Sequence, residues 1–322
     1  MMNKIKRAEV YAKQKLAKGK AKSEKRKRQR EEEAGDEDGG AARKAARPQP
    51  KTTESMRLKD DTIATAGDDE VIRDEAEDEF ATIWSGEELP KVMITTQRFP
   101  SARAFPLIAE FLRMLPRAFY YKRGHFELKK ICEYASEKKF THLLVVTERL
   151  KRPNGLIIVK LPLGPTAVFK LRSAVKASDI KGHGAPTQHA CELILNNFAT
   201  RLGRRVGRVL GSLFQHNPDF TGRQVATFHN QRDFIFFRMH RYIFEGGDEI
   251  EDGQEDENKG KAKKRSAKKA TKPVRVRMQE LGPRFTLKLK YLLAGTFDTS
   301  FGEYEFIRRK AVADISRHRF DL

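Results

Sequence analysis

Two nine-residue stretches of the chain are near copies: Leu163-Gly-Pro-Thr-Ala-Val-Phe-Lys-Leu171 and Leu281-Gly-Pro-Arg-Phe-Thr-Leu-Lys-Leu289. Five of the nine positions match, 118 residues apart. Such self-similarity points to one structural unit used twice. Each copy opens on Gly-Pro, the glycine for an unusual backbone angle and the proline for a fixed φ. The alternating apolar and polar run that follows reads as a half-buried strand.

What precedes each copy agrees. Ahead of the first come an apolar run at Val92–Thr96, helical spacing over about 102–115 and 126–139, and a run at His142–Thr147. A turn is expected at Arg152–Gly155, then a strand over 156–161. Ahead of the second come Cys191–Phe198, a helix near Leu202–Phe214, the run Gln224–Phe228, a turn at Asn230–Asp233 and the long run Phe234–Phe244. The order strand, helix, strand, turn, strand, Gly-Pro strand thus occurs twice. It predicts an α/β (α+β) domain over 91–307, made of similar halves at about 91–180 and 189–307.

The remaining residues lack the means to build a core. Residues 1–90 hold few large apolar side chains before Ile83 and Trp84, running basic to Arg30 and acidic over Glu31–Asp38 and Asp60–Glu88. An insert at 246–273 is likewise acidic, then basic. Blocks of like charge repel and solvate. Residues 1–90 are therefore expected to be largely disordered or ordered only on binding. The insert should be a long loop between two strands, and 308–322 a C-terminal tail.

The net charge is +21, and the segment 91–247 alone carries a surplus of about 17 positive charges. A basic folded surface implies a polyanion, ordinarily nucleic acid. The competing reading is a cationic surface that serves solubility. Two cysteines, Cys132 and Cys191, make no disulfide framework and fit a reducing compartment. No apolar run approaches the ~20 residues a bilayer span needs, and the N-terminus is charged where a signal peptide is apolar. A soluble intracellular protein with no membrane partner is expected.

Catalytic patterns are missing from the sequence. Gly182-His-Gly184 with His189 and Cys191 fits no common zinc spacing, and Lys160–Pro165 lacks the Gly-Lys-Ser/Thr ending of a phosphate loop. Neither a Gly-x-Ser-x-Gly elbow nor His-Glu-x-x-His occurs. No enzyme, cofactor or metal is expected.

Cationic constellations are plainer. In the helix near Leu202–Phe214, Leu202, Val206, Val209, Leu210 and Leu213 recur at core-facing spacing. Arg201, Arg204, Arg205 and Arg208 gather on other faces, spaced to meet a phosphate backbone. Gly203, Gly207 and Gly211 leave a strip that something can approach closely, a reasonable offset to their helix cost of ~1 kcal/mol each. A second constellation interleaves Arg232, Arg238 and Arg241 with aromatics. Alternation sets Phe234, Phe236, Arg238 and His240 on one face and Phe237, Met239 and Arg241 on the other, an arrangement suited to unpaired bases. Arg284 and Lys288 of the second copy, with Lys4, Lys6 and Arg7 of the basic start, complete the expected RNA-binding set. Lys25–Arg28 and Lys261–Arg265 read equally as nuclear-import signals or as RNA contacts.

Several of these motifs resemble the Brix-domain family of eukaryotic ribosome-assembly factors. They are Lys91–Thr96, Leu161–Thr166, Phe236–Tyr242 and Glu280–Leu289. The likeness extends to Asn3–Tyr11, Asp74–Phe80, Leu193–Gly203, and Gly295–Asp298 through Gly302–Glu305. The resemblance implies two halves, each similar to the anticodon-binding domain of certain tRNA synthetases. It also implies a non-enzymatic role in the nucleolus of the nucleus, binding pre-ribosomal RNA during large-subunit maturation. A dedicated non-Brix assembly-factor partner and proteins of the pre-large-subunit particle come with it. The alternatives are a Brix-type factor of the small-subunit pathway and an RNA-independent nucleolar scaffold. An RNA-modifying or tRNA-charging enzyme would need a catalytic domain that residues 1–90 are too polar to supply.

Overall fold

The computed structural model sets the two copies of the repeat side by side at the centre of one eleven-stranded sheet. Among the described residues three helices precede the sheet: α1 (Met2–Gly35), α2 (Asp69–Glu77) and α3 (Ala81–Trp84). The first half is β1 (Val92–Thr96), α4 (Phe105–Met114), β2 (Ala118–Tyr120), α5 (Leu128–Glu137), β3 (His142–Arg149), β4 (Arg152–Lys160) and β5 (Thr166–Val175). The second is β6 (Glu192–Asn196), α6 (Arg201–Gly211), β7 (Gln224–Gln231), β8 (Phe234–Glu245), β9 (Arg275–Glu280), β10 (Arg284–Leu293) and β11 (Tyr304–Ile307). The structure describes residues 2–35, 51–53, 55–58, 60–64, 67–187, 189–216, 224–245, 275–297, 302–308 and 319–322. The charged insert 246–273 lies outside them, between the antiparallel partners β8 and β9.

Across the sheet the order is β2-β1-β3-β4-β5-β10-β8-β7-β6. Outward from the centre, β5-β4-β3-β1 pair antiparallel, antiparallel, parallel. The series β10-β8-β7-β6 repeats that pattern. At the seam β5 and β10 run antiparallel, with Lys170 opposite Lys288 and Leu171 opposite Leu287. Lys170 and Lys288 are the matched lysines of the repeat, so an approximate two-fold axis passes between them. Gly164 and Gly282 both take positive φ (117° and 74°) ahead of cis prolines. Both inner hairpins turn through two residues at positive φ, Leu150-Lys151 and Arg232-Asp233, as the twist of a tight hairpin requires.

The turn expected at Arg152–Gly155 lies earlier than the sequence suggested. Arg152 already pairs with Arg149, and Pro153 sits at an irregularity between Thr147 and Glu148. A proline is tolerated there because its missing N–H breaks no regular ladder.

One face of the sheet carries both α4 and α6 over a continuous core. Leu107, Phe111, Val206 and Leu210 pack there with Val146, Phe169, Phe237 and Phe285. Phe237 stacks on Phe285 across β8 and β10, ring centroids 4.4 Å apart. Among the described residues, a helix covers the opposite face in the first half. There Ile131, Cys132 and Ala135 of α5 seal Met93, Leu143, Val145 and Val159. Among the described residues, no helix covers the corresponding face of the second half. His142 is fully buried, with its Nε2 2.9 Å from Ser212 Oγ, and so ties β3 to the segment after α6.

The chain forms two compact units, Met1–Met56 and Arg57–Leu322. In the first, α1 exposes Val10, Tyr11 and Leu16. In the second, residues 69–84 depart from the charged extension expected of the whole of 1–90. Val71, Phe80 and Ile83 are buried, and α2 is capped by Asp68. Nor are the described residues of 308–322 a free tail, since Phe320 and Leu322 are buried.

Candidate nucleic-acid interface

Helix α6 begins where the Thr200 hydroxyl caps the Gly203 N–H at 2.9 Å. Its apolar stripe enters the core as its spacing predicts, and Val206, Val209 and Leu210 are buried. Its arginines, expected to meet phosphate, are instead held by carboxylates of this chain. Arg201 pairs with Glu70, and Arg204 with Glu75 at 2.7 Å. Arg205 reaches Glu79 at 2.8 Å and Glu305 at 3.1 Å, and lies over the Phe80 ring. Arg208 bonds Asp78 and donates to the Glu75 carbonyl at 2.7 Å. Burial works against the charge on Arg205, but its bonds to Glu79 and Glu305 prevail and raise its pKa.

The physical reason is complementarity within the chain. The acidic lead-in, a solvated block by composition, folds into α2 and the turn after it, whose carboxylates line the cationic side of α6. The glycine strip is likewise filled from within. A Cβ on Gly211 would sit 2.5 Å from the Trp84 ring, and one on Gly207 3.6 Å from Leu195 and Phe198. Four of the expected RNA contacts are therefore intramolecular ion pairs.

The second constellation lies elsewhere and is open. Alternation along β8 buries Phe237 and Met239 and leaves Phe234, Phe236, Arg238 and His240 half-buried on the face without a helix. Neighbouring strands add to that face. Register places Lys170 of β5 opposite Lys288 of β10, with Arg172 opposite Thr286. Lys288 Nζ sits 4.5 Å from the Phe234 ring centroid, and the Arg172 guanidinium approaches the same ring at 5.9 Å. Burial and then the nearby Arg308 push the Lys288 pKa down. Burial also lowers the pKa of Arg238 and His240, with Glu280 opposing. His240 Nδ1 is buried with no hydrogen-bond partner among the described residues.

The other expected contacts divide. Arg284 is held by both oxygens of Glu280 at 2.5 Å, and Arg241 donates to Gln279 at 2.8 Å. Arg232 occupies the β7–β8 turn. Lys4, Lys6 and Arg7 belong to α1, and their side chains lie outside those described. Lys170 and Arg172 were not anticipated. The signal for Lys170 was in the repeat, which matches it to Lys288.

A Brix domain family model matches residues 97–291. The chain belongs to the Brix domain family. Among its relatives, ribosome production factor 1 of Pongo abelii is 46% identical over 277 residues, 86% of this chain and 72% of that protein. Probable ribosome production factor 1 of Drosophila melanogaster is 40% identical over 100% of this chain and 74% of its own length. A crystal structure of a probable ribosomal biogenesis protein from Aeropyrum pernix K1 aligns with a TM-score of 0.42 and 14% identity, covering 62% of this chain and 96% of that one.

Proposed function

We propose that this protein is a non-enzymatic ribosome-biogenesis factor that binds pre-ribosomal RNA on the sheet face that runs from the seam between its halves over the second half. One observation carries the reading. Lys170 and Lys288 stand directly opposite each other at the seam, with Arg172 beside them, and none of the three has an ion-pair partner among the described residues. Like charges facing each other across a ladder oppose folding. Their proximity is accounted for by an anion that lies over both. Phe234 and Phe236 beside them offer rings on which bases stack. The names of the relatives supply the process, ribosome production.

A non-enzymatic role agrees with how the buried ionisable groups are used. His142 is bonded to Thr141 and Ser212, and Lys160 to Glu88. A cavity of about 640 Å³ contains Glu110, but that carboxylate is bound to the Ala177 N–H and lies 3.7 Å from Arg113.

The finer points follow from the likeness of the sequence motifs to the Brix family. They are action in the large-subunit pathway, location in the nucleolus, a dedicated non-Brix protein partner and contact with proteins of the pre-large-subunit particle. Crosslinking the full chain to RNA in cells and sequencing the bound fragments tests them together. Tags in large-subunit precursor RNA are expected. Tags confined to the small-subunit precursor would move the protein to that pathway. Absence of RNA tags beside a stable co-purifying protein would make it a scaffold.

A further inference from the structure

The approximate two-fold axis relates two strand ends whose treatment differs. In the second half, the end bearing the Arg232-Asp233 turn is closed by the chain itself. Asp233 accepts from the N–H groups of Asp321 (2.8 Å) and Leu322 (2.9 Å) and pairs with Arg308 at 2.7 Å. Thr200 bridges to Ile63 and donates to the Asp321 carbonyl. In the first half, the equivalent turn is Leu150-Lys151, with Leu150 89% exposed. Lys151 stands where Asp233 does, so this end cannot accept a peptide N–H in the same way.

What the first end presents instead is cationic and aromatic. Strands β1, β2 and β3 are parallel and finish here. The connection from β1 enters α4 on one face and that from β2 enters α5 on the other. Such a divergence at the carboxyl ends of the strands is where open α/β sheets bind ligands. Arg98, Lys122, Arg123, Arg149, Lys151 and Arg152 lie in the connections and around the turn at this end, and none has an ion-pair partner among the described residues. Arg98 is fixed by the His125 carbonyl and Arg123 by the Phe126 carbonyl. Arg123 has a lowered pKa, from burial and from the charge of Arg98. The carboxylate of Glu148 is already taken by the N–H and hydroxyl of Ser101. Phe99 is 79% exposed and takes a left-handed φ of 53°, a conformation a bulky residue seldom adopts without a functional reason. Phe126 is also exposed.

We propose that this end of the first half binds an unpaired RNA strand, its phosphates on the arginines and lysines and a base on Phe99 or Phe126. The inference rests on the RNA-binding reading above but concerns a separate surface. The test measures binding of the full-length protein to a labelled oligouridine and to an RNA duplex across a salt series. Phe99→Ala with Phe126→Ala should weaken oligouridine binding about tenfold or more, with little change in salt slope. Arg98→Gln, Arg123→Gln and Lys151→Gln together should flatten that slope by up to about two. Both variants should keep the wild-type melting temperature and bind the duplex within about twofold of wild type. Wild-type oligouridine affinity in both variants would overturn the proposal and leave RNA binding itself standing. Loss of a co-purifying protein with oligouridine affinity intact would overturn it in favour of a protein dock. A wild-type chain that binds neither RNA would overturn both readings.

Discussion

The two halves share a frame but cover it in opposite ways. The first closes the far face of its sheet with α5 and exposes Phe99, Phe126 and Leu150 at its strand ends. The second, among the described residues, has no helix on that face and closes its strand ends with residues around Ile63 and Phe320–Leu322. The cations follow the same division. Those on α6 meet the carboxylates of α2 and its following turn, whereas Arg172 and Lys288 lie over the Phe234 ring and, like Lys170, have no ion-pair partner among the described residues. A charge count treats all of them alike. Their partners separate the arginines that hold the fold from the cations available to RNA.

The largest effect should come from the closed end. Asp233→Ala removes the acceptor of two backbone N–H groups and one of the two carboxylates, Asp233 and Asp321, that pair with the largely buried Arg308. A loss of about 3–5 kcal/mol in unfolding free energy is expected. Lys151→Ala at the equivalent turn should change stability by less than ~0.5 kcal/mol. Denaturant unfolding of the two variants compares the ends directly, and equal losses would break the contrast.

Next comes the clamp on α6. Arg208 and Asp78 are both largely buried, so Arg208→Gln should cost about 2–3 kcal/mol. RNA affinity should be retained. Weakened RNA binding with an unchanged melting temperature would return this helix to the interface.

A smaller effect tests one buried contact between the halves, His142 with Ser212. Burial holds the His142 pKa well below its ordinary value, with Lys160 adding to the effect. The unfolded chain then binds the proton more readily than the folded one. The stability tied to His142 is present above about pH 6.5 and falls as the pH drops toward the folded value. Between pH 6.5 and 5.5 one such group contributes at most ~1.4 kcal/mol. His142→Gln should flatten the acid limb of a stability–pH profile, and an unaltered limb would show that other groups set it.

Much of this was legible in the sequence, for identifiable reasons. The Gly-Pro repeat, the α6 stripe and the β8 alternation all express local periodicity, and periodicity survives folding. Phe237 and Met239 face inward, and Phe234, Phe236, Arg238 and His240 outward, as alternation requires. The fate of the α6 arginines was not legible, because it depends on a carboxylate segment more than a hundred positions earlier. Acidic composition marked Asp68–Glu79 as solvated, yet the buried side chains of Val71 and Phe80 were enough to seat it. The importance of Lys170 and Arg172 was hidden for a related reason. Only the register of β5 on β10 brings them beside Lys288 and Phe234.

The central claim is that paired and unpaired cations on this protein do different work. It is tested most directly by measuring thermal unfolding and the salt dependence of RNA binding on two triple variants. Replacing Lys170, Arg172 and Lys288 with Gln should flatten the salt slope by about two to three. It should shift stability by no more than ~1 kcal/mol, since lost ring contacts are offset by relieved repulsion. Replacing Arg204, Arg205 and Arg208 with Gln should lower the melting temperature and leave the slope unchanged. The reverse assignment, with binding lost through α6 and stability lost through the seam, would contradict the account.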